Sequence, residues 1–273
     1  MTDTPLLGPN TAPELHLMTF NIRRPMPHLN KRHPDAWSRR ETAVRRLLTS
    51  ERPTVLGVQE AMPLQSQFLA SILPSGFDWV GRGRKSDGSG EQCPIFFDAD
   101  RLKLLRWHQL ALSATPEVPG STSWGNRIPR ILVSATFRDL ETDHKFSVLN
   151  THLDHLSLTS RVTSGAAILD LVLAAELPVI VMGDFNVDAG SPTHRLLVSN
   201  GALQDSWCAA EDRATEHWGT FPNYEPPRPE AKRIDWILTA PSIAVKRAAI
   251  NIKTYDGVWP SDHAPVQALV RFR

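Results

Sequence analysis

The sequence lacks paired cysteines, a long hydrophobic run and an excess of charge of one sign. Only Cys93 and Cys208 occur, far apart and without the spacing of metal ligands, which argues against a disulfide framework and a zinc site. We expect both to be buried free thiols. No segment has the ~18 apolar residues that span a bilayer, and residues 1–14 lack the apolar stretch of a signal peptide. We therefore expect a cytoplasmic protein.

Charge is close to balance along the 273 residues, with a formal net charge of +1 at pH 7. This argues against the broad basic surface that gives strong sequence-independent binding to nucleic acids. Basic residues do cluster in the first third, for example at Arg39-Arg40, where a solvated helix face explains them. With 41% hydrophobic residues the chain can bury a sizeable core. We predict a flexible segment over residues 1–14 and a single domain over residues 15–273.

Short apolar runs rich in β-branched residues and bounded by turn signals predict strands. These runs are Leu15–Ile22, Val55–Val58, Ile95–Phe97, Ile131–Phe137, Phe146–Asn150, Val179–Met182, Ile234–Leu238 and Val266–Phe272. Helical spacing predicts helices over Ala36–Thr49, Leu64–Leu73 and Arg161–Ala175. The order of these elements, without a composition shift that marks a linker, predicts two sheets packed face to face with helices outside. The proline-containing segment 213–232 predicts a long surface loop that shapes a substrate cleft.

Polar side chains follow the predicted strands at the point where each strand ends. Glu60 follows one apolar run, His152 and Asp154 follow another, and Asp184 and Asn186 follow a third. If these strand ends converge, they form a cleft lined with carboxylates, amides and imidazoles. Taken singly, an aspartate after a glycine is typical of a turn, and a lone histidine is typical of a packed interior. Their joint occurrence in this order indicates a functional site.

Carboxylates and amides without a thiolate cluster suit a hard cation such as Mg²⁺ or Mn²⁺, which prefers oxygen ligands and keeps waters to share with a phosphate. Hydrolysis of a phosphodiester has matching requirements. The phosphate charge must be neutralised, a water must be deprotonated, and the leaving alkoxide must be stabilised. The residues therefore predict metal-dependent phosphodiester chemistry.

An ordered set of motifs runs through the whole chain. The motifs are Met18–Arg23, Val55–Glu60, Asn150–Asp154, Gly183–Asn186, Arg233–Leu238 and Ser261–Val266. In these motifs the chain resembles the endonuclease/exonuclease/phosphatase superfamily of Mg²⁺-dependent phosphoesterases, over residues 15–273. The resemblance implies an α/β fold, a DNase I-like four-layer α/β/β/α sandwich of two packed mixed β-sheets flanked by helices. It also implies a phosphoric ester hydrolase with Mg²⁺ or Mn²⁺ as cofactor.

The resemblance also implies which residues surround the metal ion. Asn21, Glu60 and Asp262 are expected there, with Glu60 as the principal ligand. Asp184 resembles the general base that orients and deprotonates the attacking water.

The phosphate-binding residues are implied in the same way. Asn186 and His152 are expected to donate hydrogen bonds to the scissile phosphate and to stabilise its developing charge. His263 is expected to face the same phosphate. Asp235 would orient its imidazole and keep it cationic, because a nearby carboxylate raises the proton affinity of a histidine.

Further residues are expected to support the site. Glu91 resembles the acidic residue that some nuclease members pair with the first histidine, here His152, and Asp154 follows in the same motif. Arg130 and Arg161 are each expected either to bind a substrate phosphate or to form a structural salt bridge.

Arg23 departs from the motif of one branch of the superfamily. Abasic-site endonucleases have an aspartate two residues after the first asparagine, so Arg23 at that position argues against their repair role. Its positive charge beside the metal suits a substrate with more than one phosphate.

Three functions compete on this sequence. The first hypothesis is a phosphodiesterase acting on nucleic acid, that is, a nuclease. The second is a phosphatase or phosphodiesterase for a small phosphorylated metabolite, sugar or lipid headgroup, because near-neutral charge gives little surface for a nucleic-acid backbone. The third is a catalytically inactive binding module, which predicts loss of the base or of the metal carboxylates, yet all are present.

We expect a monomer. Loop-like segments hold aromatic side chains suited to base stacking, with core packing as the alternative: Trp218, Phe221, Tyr224 and Trp259.

Overall fold

The computed structural model of the chain describes residues 3–28, 30 and 32–273. Its strands are β1 (Leu15–Asn21), β2 (Val55–Gln59), β3 (Phe77–Val80), β4 (Ile95–Asp98), β5 (Leu102–Ala111), β6 (Ile131–Asp139), β7 (Lys145–His152), β8 (Val179–Asp184), β9 (Gln204–Asp205), β10 (Asp212–Arg213), β11 (Asp235–Thr239), β12 (Ile243–Ile250) and β13 (Val266–Phe272). Its helices are α1 (Trp37–Glu51), α2 (Pro63–Ile72), α3 (Leu158–Leu173), α4 (Pro192–Val198) and α5 (Ser206–Ala209). Within the described part of the chain, no helix has the length and apolar character that a bilayer crossing requires.

The strands form two mixed sheets that pack face to face. The first has the order β10-β12-β13-β1-β2-β4-β3 and the second the order β5-β6-β7-β8-β11-β9. Helices α1 and α2 cover the outer face of the first sheet, and α3 and α4 cover that of the second. This is the four-layer α/β/β/α sandwich expected from the sequence, so the predicted fold class is confirmed.

Alternation along the strands decides which side chains face the space between the sheets. In β8, Ile180 and Met182 enter the central core, whereas Val181 packs under the helices. Every second residue of a strand points to the same face, so Asp184 also points inward at the strand end. Other polar residues at strand ends share this inward parity, namely Asn21 of β1, His152 of β7 and Asp235 of β11.

A buried asparagine joins the two sheets beneath these polar strand ends. Asn150 of β7 is fully buried, and its Nδ2 lies 2.9, 3.1 and 3.0 Å from the carbonyl oxygens of Val58, Cys93 and Pro94. Its Oδ1 accepts a 2.6 Å hydrogen bond from Nε2 of Gln59. Buried polar groups are costly unless they are hydrogen-bonded, so these contacts fix the second sheet against the first.

Gly57 of β2 makes room for this contact between the sheets. A Cβ atom at Gly57 would lie 2.5 Å from Sδ of Met182 and 2.9 Å from Oδ1 of Asn150. Both distances are shorter than any van der Waals contact of carbon. A side chain there would push the sheets apart at the point where Asn150 joins them.

Five strands have no counterpart among the predicted ones, namely the short strands β3, β9 and β10 and the longer strands β5 and β12. β5 is an edge strand with several exposed side chains, so its sequence carries little apolar pattern. β12 has a register shift between Val245 and Arg247, and the extra residue breaks the alternation that strand prediction relies on.

The expectation of two buried thiols is correct for Cys93 and wrong for Cys208, which is exposed.

The segment before β1 lies against the end of α1. The backbone amides of Leu6 and Gly8 donate to the carboxylate of Glu51 at 2.7 and 3.1 Å, and Nδ2 of Asn251 donates to the same carboxylate at 3.1 Å. Residues 1 and 2 of the segment that we expected to be flexible lie outside the described residues.

Replacing Asn150 should destabilise the whole sandwich. Asn150→Ala removes the donors to buried carbonyl groups, and each unsatisfied group costs about 1–3 kcal/mol, so we expect a loss of at least about 3 kcal/mol in the free energy of unfolding. Urea denaturation measures it. Asn200→Ala is the matched control, because Asn200 is exposed in a turn, and it should cost less than about 1 kcal/mol. Equal losses in the two variants would contradict the proposed joint between the sheets.

Candidate active site

His152 and Asp184 line a cleft of about 420 Å³, and Asn21 and Asp235 lie behind it in contact with its lining residues Asp184 and His263. In the second sheet, His152 of β7 is paired in register with Asp184 of β8, and Asp184 is paired with Asp235 of β11. The three side chains therefore lie side by side on neighbouring strands. Most of the predicted site residues line the cleft: Arg23, Glu60, Glu91, Arg130, His152, Asp184, Asn186, Asp262 and His263.

His263 and Asp235 form a buried charged pair. Nδ1 of His263 lies 2.9 and 3.2 Å from the two carboxylate oxygens of Asp235. Burial alone would lower the pKa of His263, but the carboxylates of Asp235 and Asp184 outweigh it and raise the pKa to about 10. The imidazole is therefore a cation at neutral pH. Its Nδ1 donates to Asp235, and its Nε2 lies 3.7 Å from Asp184.

Asp184 is buried and lies between hydrogen-bond donors. One oxygen accepts from the backbone amide of Asn186 at 2.9 Å, and the other accepts from Nδ2 of Asn21 at 2.9 Å. Burial and the neighbouring carboxylate of Asp235 raise the pKa of Asp184 to about 7. A carboxylate with a pKa near the working pH can take a proton from water, which is the requirement for a general base.

His152 and Asn186 stand on either side of Asp184. Burial, together with the positive charge of Arg130, lowers the pKa of His152 well below its usual range, so this imidazole is neutral. Its Nε2 lies 3.5 Å from Asp184. Asn186 has a left-handed backbone with φ 53°, and its Nδ2 donates to the carbonyl of Leu153 at 3.0 Å. The cleft thus combines a neutral imidazole with the cationic one.

Glu60 and Asp262 lie on the side of the cleft formed by the first sheet. The guanidinium of Arg23 lies between them, with its nitrogens 3.9 Å from Glu60 and 3.5 Å from Asp262. Asn21 reaches Glu60 with its Nδ2 at 3.2 Å, while its Oδ1 accepts from the backbone amide of Arg23. Asp35 holds the Arg23 side chain with contacts of 3.2 and 3.3 Å. Arg23 therefore offsets part of the negative charge of both Glu60 and Asp262.

Glu91 lies in an ionic cluster at the cleft wall. Its Oε1 accepts a 2.7 Å hydrogen bond from Arg84 and lies 3.5 Å from Arg24. Burial raises the pKa of Glu91, and these arginines oppose that effect. The structure thus joins Glu91 to arginines, whereas the sequence led us to expect a pair with His152.

Arg130 and Arg161 occupy different places around Asp154. Arg130 is buried in the cleft wall, with Nε 3.4 Å from Asp154 and Nη2 2.9 Å from Nδ1 of His155. Arg161 is on α3 behind the loop and donates to the carbonyl oxygen of Asp154 at 2.8 Å. The Asp154 carboxylate accepts the backbone amide of Ser157 at 2.7 Å. Arg130 thus lines the cleft and forms a buried ion pair with Asp154, whereas Arg161 and Asp154 hold the loop.

Sequence reasoning missed two residues that shape the site. Arg40 belongs to a basic pair that we expected on a solvated helix face, but it is fully buried and donates to the carbonyls of Ile22, Arg23 and Pro260. It thereby holds the end of β1 against the loop before Asp262. Asp35 carried no signal, because no strand or recognisable motif surrounds it.

A known protein family matches the part of the chain that contains all of these site residues. The sequence model of the Endonuclease/Exonuclease/phosphatase family matches residues 18–263, which include every strand-end residue described above. The chain belongs to this family. The expectation from the motifs is confirmed. Enzymes of the endonuclease/exonuclease/phosphatase family typically depend on a divalent metal ion, and membership supports a hydrolase acting on phosphate esters.

Two solved structures and one curated sequence are similar to this family member. A family protein from Bacteroides thetaiotaomicron is 30% identical, with a TM-score of 0.88 and 95% of each chain covered. A mannosyl-6-phosphatase from the same organism is 31% identical, with a TM-score of 0.86, covering 94% of this chain and 100% of that one. An uncharacterised protein of Acanthamoeba polyphaga mimivirus is 26% identical over 163 residues, 56% of this chain, and the chain spans about 60% of its length.

Two groups of side chains have the donors that a metal ion requires. Ligand atoms of Asp184, Asp235 and His263 all lie within 4.8 Å of one another. A histidine must be neutral to bind a metal, however, and the raised pKa of His263 opposes this. Glu60 and Asp262 offer carboxylate oxygens, the donors that a divalent ion such as Mg²⁺ prefers, beside the Arg23 guanidinium.

The protonation states of the two cleft histidines are measurable by NMR in the presence of EDTA. Because the pKa of His263 is raised and that of His152 is lowered, neither ring signal should titrate between about pH 5 and pH 9, His263 staying cationic and His152 neutral. Asp235→Asn removes the largest cause of the elevated pKa, so the His263 signal should then titrate at lower pH. A wild-type His263 that titrates near pH 6.5 would contradict the charged pair.

Proposed function

We propose that the protein hydrolyses phosphate monoesters of small sugar-like molecules, in a reaction that depends on Mg²⁺ or Mn²⁺. The observation that carries the proposal is the Asp184 carboxylate, buried beside the cationic His263 at the bottom of a cleft of about 420 Å³ with arginines in its walls. This combination pairs a base with fixed positive charge, as cleavage of an anionic ester requires.

Asp184 acts as the general base in this proposal. Its raised pKa and its buried position suit it to take a proton from a water that attacks phosphorus. The Nδ2 group of Asn21 and the amide of Asn186 fix its two oxygens, so the carboxylate has one orientation. The proton moves from the water to the carboxylate as the new phosphorus–oxygen bond forms and the bond to the leaving oxygen breaks.

The phosphate is held by donors that are already in place. His263 supplies a positive charge that Asp235 maintains, and His152 and Asn186 line the same cleft. Such preorganised donors stabilise charge as it develops on the phosphate oxygens. A Mg²⁺ ion bound by Glu60 and Asp262 would neutralise part of the phosphate charge and stabilise the leaving oxygen.

The choice of a small substrate rests on the distribution of charge. The net charge is only +1, and the arginines Arg23, Arg24, Arg84 and Arg130 are grouped at the cleft. This arrangement suits one compact anion rather than a long backbone that needs many phosphate contacts. The mannosyl-6-phosphatase at 31% identity over almost the whole chain supports the same choice.

A nuclease, the first hypothesis from the sequence, is the second candidate. It is favoured by the exposed ring of Phe221 at the cleft, because aromatic side chains stack on bases. An inactive binding module has no comparable support, since the base and the carboxylates are all in place.

Asp184→Asn tests the base. The amide cannot take a proton, so kcat should fall about 10³-fold with little change in KM. The assay covers hexose phosphates, single- and double-stranded DNA, and RNA, each with Mg²⁺, with Mn²⁺ or with EDTA. Asp170→Asn, on the exposed face of α3, should behave as wild type. Cleavage confined to polynucleotides would replace the phosphatase proposal with the nuclease.

Glu60→Gln tests the metal site separately. The substitution keeps the shape of the side chain but removes its charge, so half-maximal activity should need about 10- to 100-fold more Mg²⁺. A Mg²⁺ titration of activity measures this, and Glu176→Gln, at an exposed position, is the matched control. An unchanged Mg²⁺ requirement would show that the ion binds elsewhere.

A further inference from the structure

A second cavity lies beside the catalytic cleft, and Phe221 is a wall of both. The cavity has a volume of about 370 Å³, within the range of small-ligand pockets. The Phe221 side chain is 47% exposed, and its ring centroid lies 4.8 Å from that of His263. The Phe221 ring is therefore an apolar surface close to a group attached to a phosphate that binds at His263.

Hydrogen bonds hold this wall against the catalytic residues. The backbone amide of Asn223 donates to the carbonyl of Asp262 at 2.9 Å, and that of Ala264 donates to the carbonyl of Thr220 at 2.8 Å. The Thr220 hydroxyl oxygen accepts the amide of Asp235 at 3.1 Å. The cavity is therefore preformed, with a fixed position relative to the residues that act on the phosphate.

The cavity combines apolar surface with hydrogen-bonding groups of both kinds. Phe221, Pro222 and Ile234 are apolar, Glu225 accepts hydrogen bonds, and Arg228 donates them. A sugar ring has the matching chemistry. One face of the ring carries C–H groups that pack on an aromatic side chain, and each hydroxyl at its edge can both donate and accept.

We propose that Phe221 and the adjoining cavity bind the sugar ring of a hexose phosphate and thereby select ring-containing esters over acyclic ones. The inference rests on the proposed phosphatase function and adds the residues that choose its substrate. Phe221 contributes the stacking surface, and the cavity behind it takes the hydroxyl-bearing edge of the ring. The acid–base residues serve both kinds of ester equally.

The test compares glucose 6-phosphate and mannose 6-phosphate with the acyclic glycerol 3-phosphate. Phe221→Ala should raise KM for the hexose phosphates about tenfold, the loss expected for one aromatic contact, and change KM for glycerol 3-phosphate less than about twofold. Phe221→Trp should restore hexose phosphate binding. Ala231→Trp adds a large ring at another wall of the cavity and should raise KM for the hexose phosphates alone. Leu173→Ala, at an exposed end of α3, should leave all values unchanged.

The outcomes separate this inference from the function on which it rests. A wild-type enzyme that hydrolyses none of the monoesters overturns the proposed phosphatase, and the inference with it. Hydrolysis of all the monoesters, with losses of equal size for ring and acyclic substrates in Phe221→Ala and Ala231→Trp, overturns the inference and leaves the phosphatase standing. Glycerol 3-phosphate activity also reports folding, because a misfolded variant loses it.

Discussion

Asn150 joins the two sheets directly beneath the cleft, and the site depends on that joint. Glu60 follows a strand of the first sheet, while Asp184 ends and Asp235 begins neighbouring strands of the second. Their distances are therefore set by how the sheets sit on each other, not by either sheet alone. The Nδ2 group of Asn150 donates to carbonyls of the first sheet, and Gly57 leaves the space for it. An apolar side chain would pack there without fixing position, whereas a hydrogen-bonded amide allows one position only.

The strand ends above Asn150 carry buried charged side chains, and these set the electrostatics of the site. Asp184 and Asp235 are neighbours in register, and burial together with the Asp235 carboxylate raises the pKa of Asp184. His263 resolves this conflict, because its cation lies against both. The histidine gains a raised pKa, and Asp184 keeps a pKa that suits a base. Burying these charges costs folding stability, as is common where a site holds ionisable groups in a particular arrangement.

Much of the site could be predicted because its residues flank apolar strands or lie in motifs. His152 and Asp184 end strands that the sequence predicted, whereas Asp235, the first residue of β11, was expected from the motif resemblance. The contacts that join separate helices, strands and loops could not be predicted from the sequence. Arg40 lies in a pattern typical of a solvated helix face, yet it is buried by carbonyls that come from distant parts of the chain. The edge strand β5 and the bulged strand β12 also escaped prediction, because exposure and a register shift remove the alternation.

The loop before β11 is connected to the chemistry from both sides. Its Tyr224 hydroxyl donates to Asp35 at 2.8 Å, and Asp35 in turn orients Arg23 between Glu60 and Asp262. On the other side, Asn223 is bonded to the backbone of Asp262. The side chains that line the adjoining cavity make neither contact. Phe221 is the exception, because its ring lies 4.8 Å from that of His263. Substitutions at the other walls can change which ester is recognised while the base, the histidine pair and the carboxylates keep their positions, since scaffold-fixed loops separate recognition from chemistry in this way.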